Sequence, residues 1–487
     1  MKEQREIRVE FRGGNLVALI PLVLFIFLCI IFLIVGHVYD MTVLAMGAIV
    51  SLIVGCLFSK SWAEYWDAVV EGMLTPMISL LALIFLVVGM FSKLMAMGGI
   101  AEGLVFLGDK LGVEGSLYVV FTFIATCLIS SATGTSLGTI FTGFPLFYPA
   151  GVLLGGDPIF LAGAILSGAI FGDNIAPISD TTIASSTTQE YKYISGVADV
   201  GGVVISRFRY CITAAALACI GFLILGRGQK ISTGNLLSQF SDPRGLFMLI
   251  PVATLLIIAF KKRNVFIAAI WGIIVGTITG LLSGVFSIKD ILYMEDGMIT
   301  GFIMEGVQSM SSAVIFLYSI AGLIGIATYS GLLDRFIDTM GNSKLARTEK
   351  GTEIIIAITT IVANIFMASN VSPAIVLISP IANRLGQVHD IHPYRRANLL
   401  DCFSFTLPVI IPGTSAFLIV VVSFIQGMTS DYSFIPDINL LDLTYSTLHA
   451  WTLFIVMTFS ILTGWGRRYE GPNGEELKES PAIAVNK

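Results

Sequence analysis

Runs of apolar residues long enough to form membrane-spanning helices recur along this chain of 487 residues. A helix needs about 20 predominantly apolar residues to cross the hydrocarbon core of a bilayer, which is about 30 Å thick. The pattern therefore predicts an all-α polytopic membrane protein. The uninterrupted runs lie at 15–36, 41–58, 73–97, 207–226, 245–260, 264–285, 307–330 and 447–465.

Two further apolar regions, 115–190 and 353–426, are punctuated by glycine, proline, serine, threonine and asparagine. Backbone that leaves the helical form at membrane depth must be buried in protein or line a cavity. We predict that each region forms a re-entrant hairpin followed by an interrupted span. The hairpins are predicted at 115–153 and 353–386, and the interrupted spans at 158–186 and 397–426. Short amphipathic helices are predicted along the membrane surface at 61–72 and 288–304.

The distribution of basic residues predicts the orientation of the spans. If each hairpin enters and leaves the membrane on one side, ten spans remain and both termini share a side. Placing that side in the cytoplasm puts 22 of the 28 lysines and arginines on it, as the positive-inside bias requires. Hairpins that crossed fully as two helices would give the same sidedness, so both arrangements stay open. No cleavable signal peptide is expected, because no small-residue cleavage site follows the first apolar run.

The second half of the chain repeats features of the first at an offset of 235 residues. Pro158 and Pro177 lie 19 residues apart, as do Pro393 and Pro412. Each half contains an odd number of crossings, so two consecutive halves insert with opposite orientations. We predict two inverted repeats of about five spans each, in which substrates bind near the bilayer midplane where interrupted helices meet. The predicted repeats are residues 1–228 and 245–487, joined by a linker at 229–244.

Both predicted hairpins contain a polar break. The first is Ser131–Ser136, which includes Gly134, and the second is Ser369–Pro373. Neither glycine nor proline favours a continuous helix. The hydroxyl and amide oxygens of these breaks suit a cation that exchanges its water shell for protein ligands. The alternative is a polar loop outside the membrane.

A pair of acidic residues, Asp173 and Asp180, lies in the first interrupted span, where Gly172 and Pro177 bracket a predicted unwound turn. A carboxylate at the bilayer centre costs roughly 2.5–3.5 kcal/mol on insertion scales. A segment that accepts this cost is expected to use the charge. An ionised carboxylate binds sodium together with hydroxyl and carbonyl oxygens, and a protonated one releases it, so the two ions compete for one site.

The second half lacks this acidic pair, because Pro408 stands at the position that corresponds to Asp173. Its membrane carboxylate is Asp401, which either belongs to the site or forms a surface ion pair with Arg395 or Arg396. The candidate sodium ligands are Asp173, Asn174, Asp180, Ser131 and Thr135. The candidates for an organic substrate or a second site are Ser136, Thr181, Asn370, Ser372, Asp401, Thr414 and Ser415.

Other polar residues at the ends of spans are expected to face water. His37, His389, His392 and His449 are predicted at the surface, and Lys93 is predicted to extend to the membrane interface. The six cysteines lie in or beside apolar runs and form no metal-ligand pattern. The chain has no phosphate-binding loop and no soluble region large enough for a nucleotide domain. We therefore predict neither an enzyme nor a primary pump, with no cofactor and no nucleic-acid partner.

The segment Gly172–Thr182 closely resembles the G-D-x-x-(S/A)-P-x-S-D-T-T signature of the NhaC family of sodium/proton antiporters. The break at Ser131–Ser136 and the overall length are also similar to that family, which belongs to the wider ion-transporter superfamily. The resemblance implies two inverted repeats with re-entrant hairpins and an elevator-type movement of a transport domain against a scaffold. It also implies frequent homodimers and a bacterial inner membrane as the location.

Two functions follow from these observations. The first is sodium/proton antiport centred on Asp173 and Asp180. The second is sodium-coupled transport or exchange of a small organic acid or amino acid, with Asn370, Ser372 and Thr414 among the residues that read the ligand. The absence of an obvious arginine or lysine inside the punctuated regions weakens an anion site, although helix N-termini can hold a carboxylate. A channel is disfavoured by the inverted repeat with acidic interrupted helices, and a non-transporting scaffold would have no reason to bury Asp173.

Overall fold

The computed structural model describes residues 8–32, 36, 41–228, 241–262, 264–295 and 298–479. Helices account for nearly all of the regular structure in these residues. Most of the predicted linker at 229–244 lies outside the described residues, and so does His37.

Within the described residues before that linker, a 3-10 helix at Asn15–Leu19 leads into a series of α-helices. In chain order they are α1 (Ile20–Ile30), α2 (Met41–Cys56), α3 (Trp62–Met73), α4 (Pro76–Met97), α5 (Ile100–Leu111), α6 (Ser116–Thr133), α7 (Ser136–Leu153), α8 (Pro158–Ile175), α9 (Asp180–Thr187) and α10 (Val200–Leu225).

The described residues after the linker continue this helical series. The helices are α11 (Leu249–Lys262), α12 (Val265–Ser283), α13 (Phe302–Tyr329), α14 (Leu332–Gly341), α15 (Glu349–Phe366), α16 (Val371–Val388), α17 (Pro393–Ser404), α18 (Leu407–Ile410), α19 (Ala416–Thr429), α20 (Leu440–Ser446) and α21 (Leu448–Thr463). Two short antiparallel hairpins pair β1 (Tyr293–Glu295) with β2 (Met298–Thr300) and β3 (Tyr469–Glu470) with β4 (Glu476–Leu477). Further 3-10 helices lie at Pro243–Met248, Ile288–Asp290 and Lys344–Arg347.

Of the helices in the described part of the chain, eight are long and apolar enough to cross a membrane. A ninth is obtained if α20 and α21, which are bent by 50° at their junction, count as one span. Large apolar side chains such as Ile205, Ile224 and Leu282 stand exposed on the outside of this bundle. In water such exposure would be costly, so the composition is that of an integral membrane protein.

Two predicted boundaries are wrong. Residues 288–304 do not form an amphipathic helix, because a 3-10 turn is followed there by the hairpin of β1 and β2. The dipeptide Asp296-Gly297 lies between those strands in the sequence, and it favours a hairpin turn over a helix. The second correction concerns the start of the span predicted at 207–226. Helix α10 begins at Val200, where Asp199 caps its first turn by accepting a hydrogen bond from the amide of Gly202 (2.7 Å).

The first punctuated region contains two helix breaks that touch each other. Helices α6 and α7 meet at Gly134, whose φ of 70° lies in the left-handed region. Helix α8 ends at Ile175, and α9 starts at Asp180 after a break that contains Pro177. A Cβ atom on Gly134 would lie 2.6 Å from the side chain of Ile178. The tip of the hairpin therefore rests directly on the break between α8 and α9.

The second punctuated region has a similar order of elements. Helices α15 and α16 are separated by a tip in which Ala368 and Ser369 have φ of 49° and 59°, values that non-glycine residues rarely adopt. After α17 and the short α18, a break at 411–415 precedes α19. The hydroxyl of Ser369 donates to the carbonyl of Pro408 (2.9 Å), so this tip also contacts the following interrupted span.

The two punctuated regions pack against each other. Helix α16 packs on α9, and α17 packs on both α9 and α10. Helix α8 is buried along most of its length by α6, α7, α20 and α21. This packing places the polar breaks of both halves in the interior of the molecule, where their side chains must find partners within the protein.

Candidate ion-binding site

Asp173 lies two residues before the end of α8 and is 5% exposed. Its Oδ2 accepts hydrogen bonds from the backbone amide (3.0 Å) and the hydroxyl of Ser136, and its Oδ1 accepts one from the hydroxyl of Ser179. Ser136 is the first residue of α7, and Ser179 is the N-cap of α9. The carboxylate thus faces the N-terminal ends of two helices, whose partial positive charge stabilises an anion.

Asp173 differs from the buried carboxylates of Asp401 and Glu353 in having no charged partner. Among the described residues, no lysine or arginine forms an ion pair with it, whereas Asp401 pairs with Arg207 and Glu353 pairs with Arg395. A buried charge normally needs a partner of opposite sign. Dipoles of amide and hydroxyl groups are what stabilise Asp173, so its carboxylate keeps the capacity to bind a cation.

A cavity of about 350 Å³ reaches this carboxylate. One molecule of liquid water occupies about 30 Å³, so the cavity has room for a partly hydrated ion. Its polar lining is formed by Thr133, Thr135, Ser136, Asp173, Asp180, Thr181 and Asn264. Apolar side chains such as Leu81, Phe141 and Phe417 line the remainder. The oxygen-rich lining suits a hard cation such as sodium.

Asp180 sits at the boundary between the two halves. It is exposed, and its Oδ2 accepts a hydrogen bond from the hydroxyl of Ser372 on α16 (2.6 Å). A larger cavity of about 650 Å³ lies here and shares Asp180, Leu137 and Phe417 with the smaller one. Asn370 and Ser372 line this larger cavity together with residues of α4 and α13.

A second polar cluster lies on the other side of Asn174. The amide Nδ2 of Asn174 donates to Oδ1 of Asp401 (2.6 Å), and Oδ2 of Asp401 lies 2.8 Å from Nη1 of Arg207. Both charged side chains are fully buried. The hydroxyl of Ser185 donates to Asp401 (3.1 Å), and the amide oxygen of Asn398 accepts from Arg207 Nε (3.1 Å). The cluster joins α8, α9, α10 and α17.

The break in the second half holds fewer charges. Asn370 precedes α16 but makes no side-chain capping bond. Ser415 caps α19, accepting from the amide of Leu418 (3.3 Å), and donates to the carbonyl of Val409 (2.5 Å). The hydroxyl of Thr414 is buried and has no hydrogen-bond partner among the described residues.

The structure brings some of the predicted site residues together and separates others. Ser136 contacts Asp173, and Thr181 lies 3.0 Å from Ser179, which donates to the same carboxylate. Thr135 lines the smaller cavity and caps α7. Ser131 instead donates to the carbonyl of Cys127 in its own helix (2.7 Å).

Asp401 does not form the surface ion pair considered from the sequence. It is fully buried and pairs with Arg207, while Arg395 pairs with Glu353 (2.8 Å) and Arg396 donates to the carbonyl of Glu190. The pairing differs because Asp401 lies two turns inside α17 and faces α10. The two arginines near the start of α17 meet acceptors from other elements instead.

Arg207, Ser185 and Asn398 were not predicted as site residues. The apolar run predicted at 207–226 begins at Arg207, so the sequence pattern places this residue at the edge of the membrane. A helix that begins at Asp199 would place Arg207 two turns inside the span, so the capping aspartate was the available signal. The sequence pattern weakened an anion site because no arginine or lysine was expected among the interrupted helices. The buried Arg207 removes that objection.

Several residues expected at the surface are buried. His449 is fully buried against the ring of Phe171 (5.5 Å between centroids). His392 is 1% exposed beneath the loop that joins β3 and β4, and burial lowers its pKa to about 4. Lys93 does not extend to the interface; it is 6% exposed and bonds to Ser430 (2.8 Å) and to Asp431. Each polar group finds a partner or an aromatic neighbour inside the protein.

A bundle of apolar spans with a buried carboxylate at broken helices is typical of ion-coupled membrane transporters. Residues 13–227 match the model of the Na+/H+ antiporter family. The resemblance to sodium/proton antiporters predicted from the acidic segment is therefore confirmed. This match includes Asp173, Asp180 and Arg207.

Curated relatives extend the similarity into the second half. The chain is 26% identical over 343 residues to the malate-2H+/Na+-lactate antiporter of Bacillus subtilis (strain 168), covering 69% of each chain. It is 25% identical over 341 residues to the Na+/H+ antiporter NhaC of Alkalihalophilus pseudofirmus, covering 64% of this chain and 69% of that protein. Among solved structures, the YdaH transporter of Alcanivorax borkumensis superposes with a TM-score of 0.34 at 15% identity, over 79% of this chain and 85% of that one.

Proposed function

We propose that this protein is a secondary active sodium/proton antiporter in which both ions compete for the carboxylate of Asp173. The observation that carries this proposal is the burial of Asp173 beside a cavity without a charged partner among the described residues. Sodium binds the ionised carboxylate, and a proton neutralises it and displaces sodium. A single site that binds either ion is sufficient for exchange if the protein turns the site from one side of the membrane to the other only when an ion is bound.

The ligands of the proposed sodium site are supplied by the first half. Hydroxyl groups of Ser136, Ser179 and Thr181 can rotate, so each presents either a proton to Asp173 or a lone pair to sodium. Asn174 and Thr135 provide further oxygens at the ends of α8 and α7. Asp180 stands at the entrance, where its exposed charge attracts cations from water.

The proposed facing of the site follows from the orientation that the basic residues predict. The larger cavity is lined by Gly72, Thr75 and Tyr329, which adjoin the predicted cytoplasmic loops. It meets the smaller cavity at Asp180. We infer that this conformation is open to the cytoplasm, that the hairpins and interrupted spans move as a transport domain in a bacterial inner membrane, and that the remaining spans form the scaffold of a homodimer.

The proposal is tested by sodium-driven proton movement in liposomes that contain the purified protein. An inward sodium gradient is expected to drive protons out in the wild type and not in Asp173→Asn, which keeps the shape and removes the ionisable group. Asp109→Asn, which changes an exposed carboxylate at the end of α5, is the matched control and is expected to behave as wild type. Sodium-driven exchange that persists in Asp173→Asn contradicts the proposal.

A second candidate function is sodium-coupled transport or exchange of a small organic acid or amino acid. The cavity of about 650 Å³ favours it, because that volume exceeds what an ion needs and Asn370 and Ser372 offer polar groups beside Asp180. One relative is named as an exchanger of malate and lactate. The two functions are separated if the wild type moves protons only after such a solute is added to the liposomes.

A further inference from the structure

Asn174 links two buried carboxylates, those of Asp173 and Asp401. Asn174 follows Asp173 in α8, and its amide Nδ2 donates to Asp401. Its amide oxygen is buried and has no hydrogen-bond partner among the described residues. The amide must face this way, because an ionised carboxylate can only accept a hydrogen bond. Asp401 therefore turns the oxygen of Asn174 away from itself and leaves it available.

Arg207 holds this arrangement from α10. Its Nη1 lies 2.8 Å from both the carboxylate of Asp401 and the backbone carbonyl of Asn174. The same guanidinium donates to the hydroxyls of Thr182 and Ser185 on α9, each at 3.0 Å. A single side chain thus contacts the end of α8, the start of α9 and the partner carboxylate on α17.

Arg207 provides a hydrogen-bond donor to a backbone carbonyl group that the helix break leaves without a partner. A helix that ends inside the protein exposes its last carbonyls without partners, and Asn174 supplies one of them. Arginine suits this position because its planar fork presents five donors in fixed directions, whereas lysine presents a point charge. The positive charge is also favourable near the C-terminal end of α8.

We propose that Arg207 is a positioning residue for the sodium site. It balances the charge of Asp401 and donates to the carbonyl of Asn174 at the end of α8, so that Asp173 is the carboxylate left for the transported cation and the amide oxygen of Asn174 stays free of protein donors. The inference rests on the proposed function and assigns Asp401 as the counter-ion of Arg207, not as a sodium ligand.

Charge balance gives this assignment a distinctive consequence. Asp401→Asn leaves the Arg207 charge unbalanced beside the site, which repels sodium. Arg207→Gln combined with Asp401→Asn removes both charges and keeps a donor near the carbonyl of Asn174. If Asp401 were a sodium ligand, removing the arginine as well would restore nothing.

The experiment measures sodium binding by the sodium-dependent rise in melting temperature of the purified full-length protein, with choline replacing sodium at constant ionic strength. We expect Asp401→Asn to weaken the apparent sodium affinity at least about fivefold, the order expected for one unbalanced buried charge nearby. The double variant is expected to recover to within about twofold of wild type. In liposomes the same variants are expected to change KM for sodium more than kcat.

Glu353→Gln is the matched control. It also unpairs a buried arginine, Arg395, but on α15 and α17 away from Asp173, and it is expected to leave sodium affinity unchanged.

Wild-type affinity in Asp401→Asn, or no recovery in the double variant, overturns the inference alone. If Asp401→Asn does not fold, the double variant still decides, because a lost sodium ligand would leave it at least about tenfold weaker than wild type. A wild type without any sodium dependence overturns the proposed function as well.

Discussion

The buried carboxylates of Asp173, Asp401 and Glu353 are stabilised in two different ways. Asp401 and Glu353 each contact a buried arginine, and Glu353 also bonds to Arg467 (2.7 Å). Asp173 depends on hydroxyl and amide dipoles from two helix ends. An ion pair fixes a charge permanently, whereas rotatable dipoles can serve either an ionised carboxylate or a carboxylate with a bound cation. This difference supports the proposal that sodium and protons compete for Asp173.

The contribution of the hydroxyl of Ser136 can be measured directly. Ser136→Ala keeps the backbone amide that donates to Asp173 and removes the hydroxyl. The hydroxyl is a proposed sodium ligand, and the interaction of such a group with a charge contributes about 1.5–3 kcal/mol, so we expect KM for sodium to rise about tenfold or more. The measurement is the sodium dependence of proton release from liposomes.

The control for this substitution is Ser51→Ala. Ser51 is also a fully buried serine, but its hydroxyl donates to the carbonyl of Gly47 within α2 (2.8 Å). It is expected to leave KM for sodium unchanged. Equal effects of the two substitutions would show that Ser136 serves packing and not the ion.

The sequence reveals Asp173 because an acid inside an apolar run is costly and therefore conspicuous. It does not reveal Arg207, because an arginine at the edge of an apolar run has the same pattern whether it faces water or a buried carboxylate. The partner, Asp401, lies 194 residues further along the chain. A contact at that separation depends on how α10 and α17 pack, which local pattern does not specify.

At the scale of elements, the tip of the first hairpin positions the site. Gly134 combines a left-handed backbone with close contact to Ile178 in the break between α8 and α9. Gly134→Ala adds about 1–2 kcal/mol of backbone strain and pushes the hairpin tip away from the break. We expect it to abolish most sodium-driven proton movement, because Ser136 follows Gly134 by two residues and would leave Asp173.

Gly112→Ala is the control that separates the effect of backbone strain from the effect of steric contact in Gly134→Ala. Gly112 also has a left-handed φ, of 65°, but a Cβ atom added there would meet nothing within 4 Å. It is expected to lower thermal stability by a similar amount and to keep transport in liposomes. Loss of transport in both variants at equal expression would attribute the effect to strain alone.

The C-terminal strands form a strap across two loops. The carboxylate of Glu470 accepts from the amides of Lys192 (2.7 Å) and Tyr193 (2.9 Å), and β3 bonds to the segment at 390–392. His392 is buried there, with its Nε2 lying 3.2 Å from the carbonyl of Gly474. The sequence shows only a short polar tail after the last span, so this strap could not be predicted from an apolar pattern.

We expect the strap to loosen in acid. The pKa of His392 is about 4 in the folded protein because the ring is buried, against about 6.5 when exposed. Since the folded pKa is the lower one, the neutral ring contributes fully above about pH 6.5, and up to about 3 kcal/mol is lost as the pH falls towards 4. Hydrogen exchange of residues 466–479 at pH 7.5 and 5 measures this opening.

A non-titrating variant tests the cause of that opening. His392→Gln retains an amide that can bond to Gly474 and carries no proton between these pH values. Its strap is expected to show the same protection at both pH values. If the strap opens in parallel in wild type and variant, another group drives the change.

At the scale of the whole molecule, polar contacts tie the two punctuated regions to each other and to the other spans. Ser372 contacts Asp180, and Asp401 contacts Arg207, so both halves complete the site. The positions of the spans follow from apolar length, and the helix breaks follow from glycine, proline and polar clusters. The helix breaks of both halves meet in the interior because the two halves pack against each other. In the sequence, only the internal repeat predicts that the breaks meet.

One contact between α4 and the segment after α19 lies at the opposite end of α4 from the cavity of about 650 Å³. Lys93 near the end of α4 pairs with Asp431, which follows α19, and Glu305 at the start of α13 lies 4.0 Å from Lys93. A polar cavity of about 790 Å³ surrounds these groups. In the proposed division, α4 belongs to the scaffold and α19 to the transport domain. In that division, and in the orientation that the basic residues predict, the pair would hold the outer side closed in this conformation.

Lys93→Met removes this pair while keeping the length of the side chain. A partly buried pair holds two elements together more strongly than an exposed one, so we expect its loss to favour the outward-open conformation. In a cysteine-free background, we expect Thr75→Cys at the cavity of about 650 Å³ then to react at least about threefold more slowly with an impermeant thiol reagent. A shift of about 1–2 kcal/mol is sufficient for this if the cytoplasm-open state is populated to between about one half and nine tenths in the wild type. Lys60→Ala, which breaks an exposed pair with Glu10, should leave that rate unchanged. Equal rates in all three proteins would mean that Lys93 and Asp431 do not govern the opening of the carrier.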